Sequence, residues 1–449
     1  MSDRRRQGCA NAFYGVADYL ALPAGMLLAA PFLLRHLGAA QYGVWMLASA
    51  TVSGGGTVAG SFGDAVVKYV GDCRARVDWP GVTRIVRTMI SINLALSGIL
   101  AIALWYLAPY LTSHIAKADL DLKAICLQSL RIGSGLLLMR SIESVFVSTL
   151  RAFETYGSTV RISICSRTTI LASAIVLTKY GRNVVWIMVA TLFISTLGTV
   201  AQALALKNKI GRFSPIPSWH RKTVRHIAAF GSFSWLQAIS GVAFSHADRF
   251  LVGLFMGAPA VASYGLCVQA AQPIHGLVSS GMHFLFPHLS TRYPVAPLSE
   301  IRRKVAMALM VNVMLVCALS LPLLIWGSHV LKMWIGTTTF RPQPPLMFPI
   351  IVCSFAVLGI NVPAHYALLA AGHVRVVTYL NLSAGSVMLL IMATLIPEHG
   401  LEGASLARLV YGPITCLAYF YLYRIVWRAE THVLVPRSRI YESATTGTD

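Results

Sequence analysis

An all-α polytopic membrane protein is the fold class this sequence predicts, and three observations carry the prediction. Hydrophobic residues make up 56% of the 449-residue chain and charged residues only 12%, about half the share that a soluble surface carries. Apolar runs of about 20 residues, the length that crosses a bilayer core, recur along the whole chain. The few charges are biased in sign, with 37 Lys and Arg against 16 Asp and Glu, for a formal charge of +21. That hydrophobicity excludes a disordered chain. It also excludes a nucleic-acid-binding protein, which can be this basic but not this apolar.

Twelve helical spans are predicted, near 12–34, 43–63, 88–111, 125–150, 160–178, 184–206, 228–256, 259–286, 305–326, 346–371, 374–396 and 402–424. The second and fourth are the weakest. The second holds Gly54, Gly55 and Gly56 in a row, and the fourth carries Arg131, Arg140 and Glu143. Transmembrane strands are excluded because the apolar runs are too long and do not alternate.

Basic loops stay in the cytoplasm. Of the 37 Lys and Arg, 25 fall in the N-terminus, the even-numbered loops and the tail, counting Arg161, Arg375 and Arg424 at the span ends that border them, 7 in the opposite loops and 5 deeper inside spans. This asymmetry predicts two cytoplasmic termini, and it accounts for most of the positive charge without a ligand. Arg4, Arg5 and Arg6 lead into an apolar segment of about 23 residues, too long for a signal-peptide core, so no cleaved leader is expected. The eight cysteines are scattered, and most (Cys126, Cys165, Cys267, Cys317, Cys353, Cys416) fall within spans as packing residues. No disulfide, metal site or cofactor is expected.

The chain repeats itself. Leu37-Gly38-Ala39, followed by Tyr42-Gly43, returns as Met256-Gly257-Ala258, followed by Tyr264-Gly265, with Gly38 and Gly257 offset by 219. Leu150-Arg151-Ala152 and Leu369-Ala370-Ala371 stand at the same offset, as do Tyr180-Gly181 and His399-Gly400. Each half then holds six spans, an even number, so both halves run parallel. A parallel repeat is a transporter arrangement, with a substrate site between halves that rock. The predicted organisation is a six-helix lobe at 1–206, a basic linker and hinge at 207–227, a second six-helix lobe at 228–426, and a tail at 427–449 expected to be disordered. Pro23, Pro31, Pro273, Pro322, Pro363 and the Gly54–Gly56 run are expected to let helices bend at a cavity.

The same landmarks carry a family resemblance. RHLGAAQYGVWML, HADRFLVGLFMGAPAVASYGLCVQA, LKMWIG at 331–336, NVPAHYALLAAGHVR and PEHGLEGASLARL, in this order and spacing, resemble the polysaccharide (Wzx-type) flippases of the multidrug, oligosaccharidyl-lipid and polysaccharide exporter superfamily. The resemblance covers nearly the whole chain. It implies a V-shaped bundle of two six-helix lobes around a central, often cationic, cavity. It also implies a bacterial inner-membrane flippase that moves undecaprenyl-diphosphate-linked oligosaccharide, coupled to a proton or sodium gradient. Polysaccharide polymerase and glycosyltransferases are the implied partners.

Charges inside spans cost several kcal/mol, roughly 2.5–3.5 on insertion scales, so each needs a reason. Arg140 and Glu143 are three apart and can pair on one helical face. Arg131, nine residues before Arg140, points half a turn away. Asp248 is compatible with capping, pairing or ion binding. Arg131, Arg249 and Arg408 lie in the outer thirds of their spans. The candidate substrate contacts are Arg131, Arg140, Arg249 and Arg408, because the planar guanidinium holds phosphate or carboxylate bidentately. Asp18, Glu143 and Asp248 are the candidate coupling or ion-pair groups. Arg167 also lies in a span, and His246, His275 and His283 are expected to be packing residues. None of Arg131, Arg140, Asp18, Asp248 or Arg408 has a charged counterpart at the 219 offset, so the scaffold repeats and the charges do not. Arginines outnumber acids inside spans, which favours an anionic cargo over the cationic compounds of a multidrug exporter. A lipid II flippase usually has more spans. A membrane glycosyl- or acyltransferase needs a large loop with paired acids or His, and no such constellation is present.

Overall fold

A computed structural model describes residues 2–116, 119–153, 156–210, 214–282, 285–293, 297–335 and 344–427. The tail expected to be disordered lies outside them, as does His283. Every regular element among the described residues is helical. In chain order these are α1 (Ser2–Gly60), α2 (Gly63–Ala75), α3 (Trp79–Ile115), α4 (Leu120–Ala152), α5 (Tyr156–Lys179), α6 (Val184–Ile210), α7 (Arg221–Val242), α8 (Asp248–Met256), α9 (Ala258–Met282), α10 (Leu285–Arg292), α11 (Leu298–Ile335), α12 (Met347–Ile360), α13 (Val362–Ala370), α14 (Val374–Leu409), α15 (Tyr411–Cys416) and α16 (Ala418–Leu422). Among the described residues, seven helical stretches are long and apolar enough to cross a membrane.

Two turns expected between spans are single-residue breaks instead. α1 runs through the first turn with only Gly38 non-helical, at φ 74° and ψ 163°. α14 runs through the last with only Gly400 non-helical, at φ 57° and ψ −133°. Glycine permits these positive φ values because it lacks a Cβ. The repeat landmarks share them. Gly257 has φ 88° and ψ 176°, close to Gly38, and Gly181 has φ 69°, close to its mate Gly400. The tenth predicted span is divided at Asn361 into α12 and α13, where Pro363 begins the second piece in the first helical turn, which needs no N–H.

Interhelical hydrogen bonds repeat as well. Buried Asn93 of α3 donates its Nδ2 to the Ser141 carbonyl of α4 at 3.0 Å. Buried Asn312 of α11, at the 219 offset from Asn93, donates to the Gly359 carbonyl of α12 at 3.0 Å. In a membrane an unpaired amide costs several kcal/mol, so each Asn fixes its helix pair in register.

The apolar core is joined at one end and divided at the other. One cluster draws on both halves, with Tyr42, Trp45 and Leu47 beside Tyr264, Leu266, Ile335 and Met347. Toward the basic end, Val66, Val86, Phe146 and Leu206 form a cluster of the first half. Leu289, Val305, Leu368 and Leu422 form a separate cluster of the second half. The start of α7 is the exception, since Ile227 belongs to the first-half cluster.

The repeated motifs make the joined end. A Cβ at Gly43 would lie 1.8 Å from the Ala258 carbonyl oxygen, so only glycine admits this approach. A Cβ at Gly265 would meet Met46 Cε at 2.4 Å. Met46 and Gly265 stand at the 219 offset, so equivalent positions of the two halves touch. The glycine run 54–56 serves packing rather than loosening its helix. A Cβ at Gly55 would meet Leu137 Cδ2 of α4 at 2.4 Å, and Gly54 faces Val242 and His246 of the other half.

A proline supplies a further tie. Pro31 has no N–H to bond the carbonyl four residues back, at Leu27. Trp334 of α11, from the LKMWIG segment, donates its Nε1 to that carbonyl at 2.8 Å.

Candidate functional site

The strongest charge constellation lies where α7 becomes α8. A π turn at Ala243–Ala247 widens the helix there, a distortion frequent at functional sites. Asp248 follows it, fully buried, and Arg408 of α14 is 1% exposed. Arg408 Nη1 donates to Asp248 Oδ2. It also donates to the Phe244 carbonyl at 3.2 Å. The Tyr264 hydroxyl donates to the same Asp248 Oδ2 at 2.9 Å. The guanidinium sits in the corner formed by two edge-to-face rings, 4.1 Å from the centroid of Phe244 and 4.6 Å from that of Phe355. Two charges are tolerated here because each neutralises the other and aromatic faces hold the cation.

The sequence places Arg408 among the candidate substrate contacts. In this conformation it is enclosed and committed to Asp248. Asp248 takes the pairing role among the three left open, and its Oδ1 also accepts the Arg249 backbone N–H at 2.8 Å. The aromatic corner of Phe244 and Phe355 has no sequence signal, since isolated phenylalanines are ordinary in apolar spans.

Arg249 is the contrasting residue. Its neighbours on the same face, three before and four after, both touch the first half. His246 meets Gly54, and Gly253 faces Leu47 and Ile115. Arg249 therefore sits at the seam between halves. Its Nε is buried without a hydrogen-bond partner, and so are His246 Nδ1 and the Tyr42 hydroxyl. Among the described residues no carboxylate lies within ion-pair distance of Arg249.

The first half holds the other candidates. Arg140 Nη1 meets Glu143 Oε2 at 2.9 Å, with the side chains 30% and 12% exposed. The Arg140 Cβ lies 3.4 Å from where a Gly56 Cβ would be, so this pair faces α1. Arg131 turns to the other side of α4 and stacks over Trp105 of α3 at 4.8 Å. Its Nε is buried without a partner. The structure thus brings Asp248, Arg249 and Arg408 together, pairs Arg140 with Glu143, and leaves Arg131 apart. The side chain of Asp18 lies outside the described residues. Among the described residues, no group of three His, Cys, Asp or Glu is placed to hold a metal.

Helices of membrane length, patterned twice and meeting at a seam that carries charge, define a multi-pass membrane transporter of the flippase and exporter fold. The chain belongs to the polysaccharide biosynthesis protein family, whose model matches residues 78–338. Its fold is similar to that of a multidrug resistance MATE family transporter of the MOP superfamily in an inward-facing conformation, with a TM-score of 0.71 and 14% identity over 92% of this chain and 99% of that one. It is equally similar to the lipid II flippase MurJ in an inward closed conformation, with a TM-score of 0.71 and 12% identity over 92% of this chain and 87% of that one. The MATE multidrug transporter DinF-BH in complex with R6G follows, at 0.67 and 13% identity over 95% and 97% of the two chains. At such identities the likeness is one of fold. A search of curated protein sequences returns no match.

Proposed function

We propose that this protein is an inner-membrane flippase for an oligosaccharide carried on undecaprenyl diphosphate, serving lipopolysaccharide or exopolysaccharide synthesis. Its two six-helix lobes, 1–206 and 228–426, rock about the seam with both termini in the cytoplasm. The observation that carries this reading is the charge left after pairing. Both described intramembrane acids, Glu143 and Asp248, are bound to arginines. Arg249, at the seam, is not. A seam whose uncompensated charge is a guanidinium attracts a diphosphate and repels a cationic drug. The separate clusters at the basic end and the joined cluster opposite support a state closed toward the periplasm.

Arg131 and Arg140 flank the path from α4 in this reading. Asp18 is the candidate group for coupling to a proton or sodium gradient. Polymerase and glycosyltransferases supply and consume the cargo. The runner-up, a cation-coupled multidrug exporter, is favoured by the MATE-like fold but not by the paired acids. A lipid II-type flippase shares the anionic cargo and differs in the sugar.

Reconstitution decides between them. Proteoliposomes are loaded with labelled undecaprenyl-diphosphate oligosaccharide, lipid II or a cationic dye. Translocation of the oligosaccharide alone supports the proposal, whereas transport of the dye alone contradicts it.

A further inference from the structure

The linker between the halves is not free. Arg87 of α3 donates its Nε to the Ile216 carbonyl at 2.7 Å. The Ser218 N–H returns a bond to the Arg87 carbonyl at 3.3 Å. Ser91 Oγ donates to the Ser218 carbonyl at 3.0 Å. Residues 214–220 are thereby laid along the start of α3. Between them lies a cavity of about 440 Å³, lined by Trp79, Thr83, Arg84, Arg87, Ser218 and His220 among others.

The lining is chemically one-sided. Arg84, Arg87, His220, Thr83 and Ser218 supply the polar lining, and no acidic residue lines the cavity among the described residues. Asp78, the residue before α3, caps the helix by accepting the Gly81 N–H at 2.8 Å, and with Asp72 it lines the neighbouring cavity, which Arg84 borders as well. Arg87 spends Nε on the linker, which fixes the direction of the rest of its fork. Trp79, Pro80 and Ile210 are its apolar lining, Trp79 is 40% exposed, and Ile216 and Trp219, neighbours of the lining residues Ser218 and His220 on the linker, are 62% and 58% exposed. Such aromatic residues anchor at the headgroup level of a bilayer. The depth agrees, because Arg84 and Arg87 immediately precede the apolar stretch of α3 that begins near residue 88. Lys207 and Lys209 in the last turn of α6 add positive field on the same side.

We propose that this cavity binds the phosphate of an anionic phospholipid in the leaflet that the basic loops face. The headgroup phosphate accepts from Arg84, Arg87 and His220, while the acyl chains run past Trp79 and Trp219. A lipid so held ties the linker to α3 and joins the two halves at the basic end. The site is distinct from the seam at Arg249, and it does not depend on which cargo is carried.

The test uses the full chain in detergent, titrated with fluorescent phosphatidylglycerol and, separately, phosphatidylcholine. Wild type is expected to prefer phosphatidylglycerol, and the double change Arg84→Gln with His220→Gln to weaken that binding about tenfold. The melting temperature should change little. Thr83→Leu, which narrows the cavity without altering charge, is expected to weaken binding as well. Arg182→Gln, on the opposite side, should leave it unchanged. Equal affinity for the two lipids overturns the proposal. So does wild-type affinity in both cavity variants. Full displacement of phosphatidylglycerol by millimolar inorganic phosphate assigns the pocket to a free anion and overturns the lipid assignment.

Discussion

In the first half an arginine and a glutamate three residues apart on one helix meet at 2.9 Å, with the arginine still 30% exposed. In the second half an arginine and an aspartate 160 residues apart meet across two helices, and both are sealed from solvent. The halves otherwise echo each other. Gly38 and Gly257 share similar backbone angles, and Asn93 and Asn312 each donate to a carbonyl of the following helix. Packing needs recur with the fold, so packing residues recur. The charges do not recur, and there the halves have diverged. The second half spends a buried pair to fix α8 against α14, which holds Arg249 one residue along at the boundary.

The largest expected effect comes from breaking the buried pair. Asp248→Asn leaves Arg408 charged against two rings, at a cost of about 3–5 kcal/mol. The detergent melting temperature should fall steeply. Changing both residues together, Asp248→Leu with Arg408→Met, should recover much of the loss, because an apolar pair of similar volume has no charge to strand.

The repeated asparagines probe the likeness of the halves next. Asn93→Leu and Asn312→Leu should each cost about 0.5–2 kcal/mol, by equal amounts if the halves are packed alike. Unequal losses in melting temperature would show that one helix pair matters more than its mate. Trp334→Phe keeps the ring and strands the Leu27 carbonyl. A similar loss of about 0.5–2 kcal/mol is expected. Trp334→Phe with Pro31→Ala should be milder, since the alanine brings a backbone N–H that can satisfy that carbonyl within α1.

The smallest effect belongs to the first-half pair. Glu143→Gln at a partly exposed i,i+3 pair should move stability by about 0.5 kcal/mol or less. A loss as large as that of Asp248→Asn would erase the distinction between the halves.

The outline of this fold was legible in the sequence because it rests on one-dimensional facts. Apolar length, loop charge and the offset of Gly38 and Gly257 need no partner to be read. The pairing of Arg140 with Glu143 was legible for the same reason, as both lie on one helix. The bond between Asp248 and Arg408 was not, because it joins helices 160 residues apart and the choice of partner is tertiary. Trp334 could be seen only as part of a motif. Its role follows from Pro31, on a helix of the other half. The Gly54–Gly56 run misled in a simple way. Glycine lowers intrinsic helix stability, but these glycines admit α4 and α7 at close range, and the contact outweighs the propensity.

Arg249, the seam cation without a carboxylate, carries the functional reading. It is tested most directly by the rate at which Arg249→Gln proteoliposomes translocate labelled lipid-linked oligosaccharide, beside Arg249→Lys and the wild type. A loss of tenfold or more is expected in Arg249→Gln, about 1.4 kcal/mol of lost interaction. Arg249→Lys should retain part of the rate, and both variants should melt near the wild-type temperature. A wild-type rate in Arg249→Gln would contradict the reading.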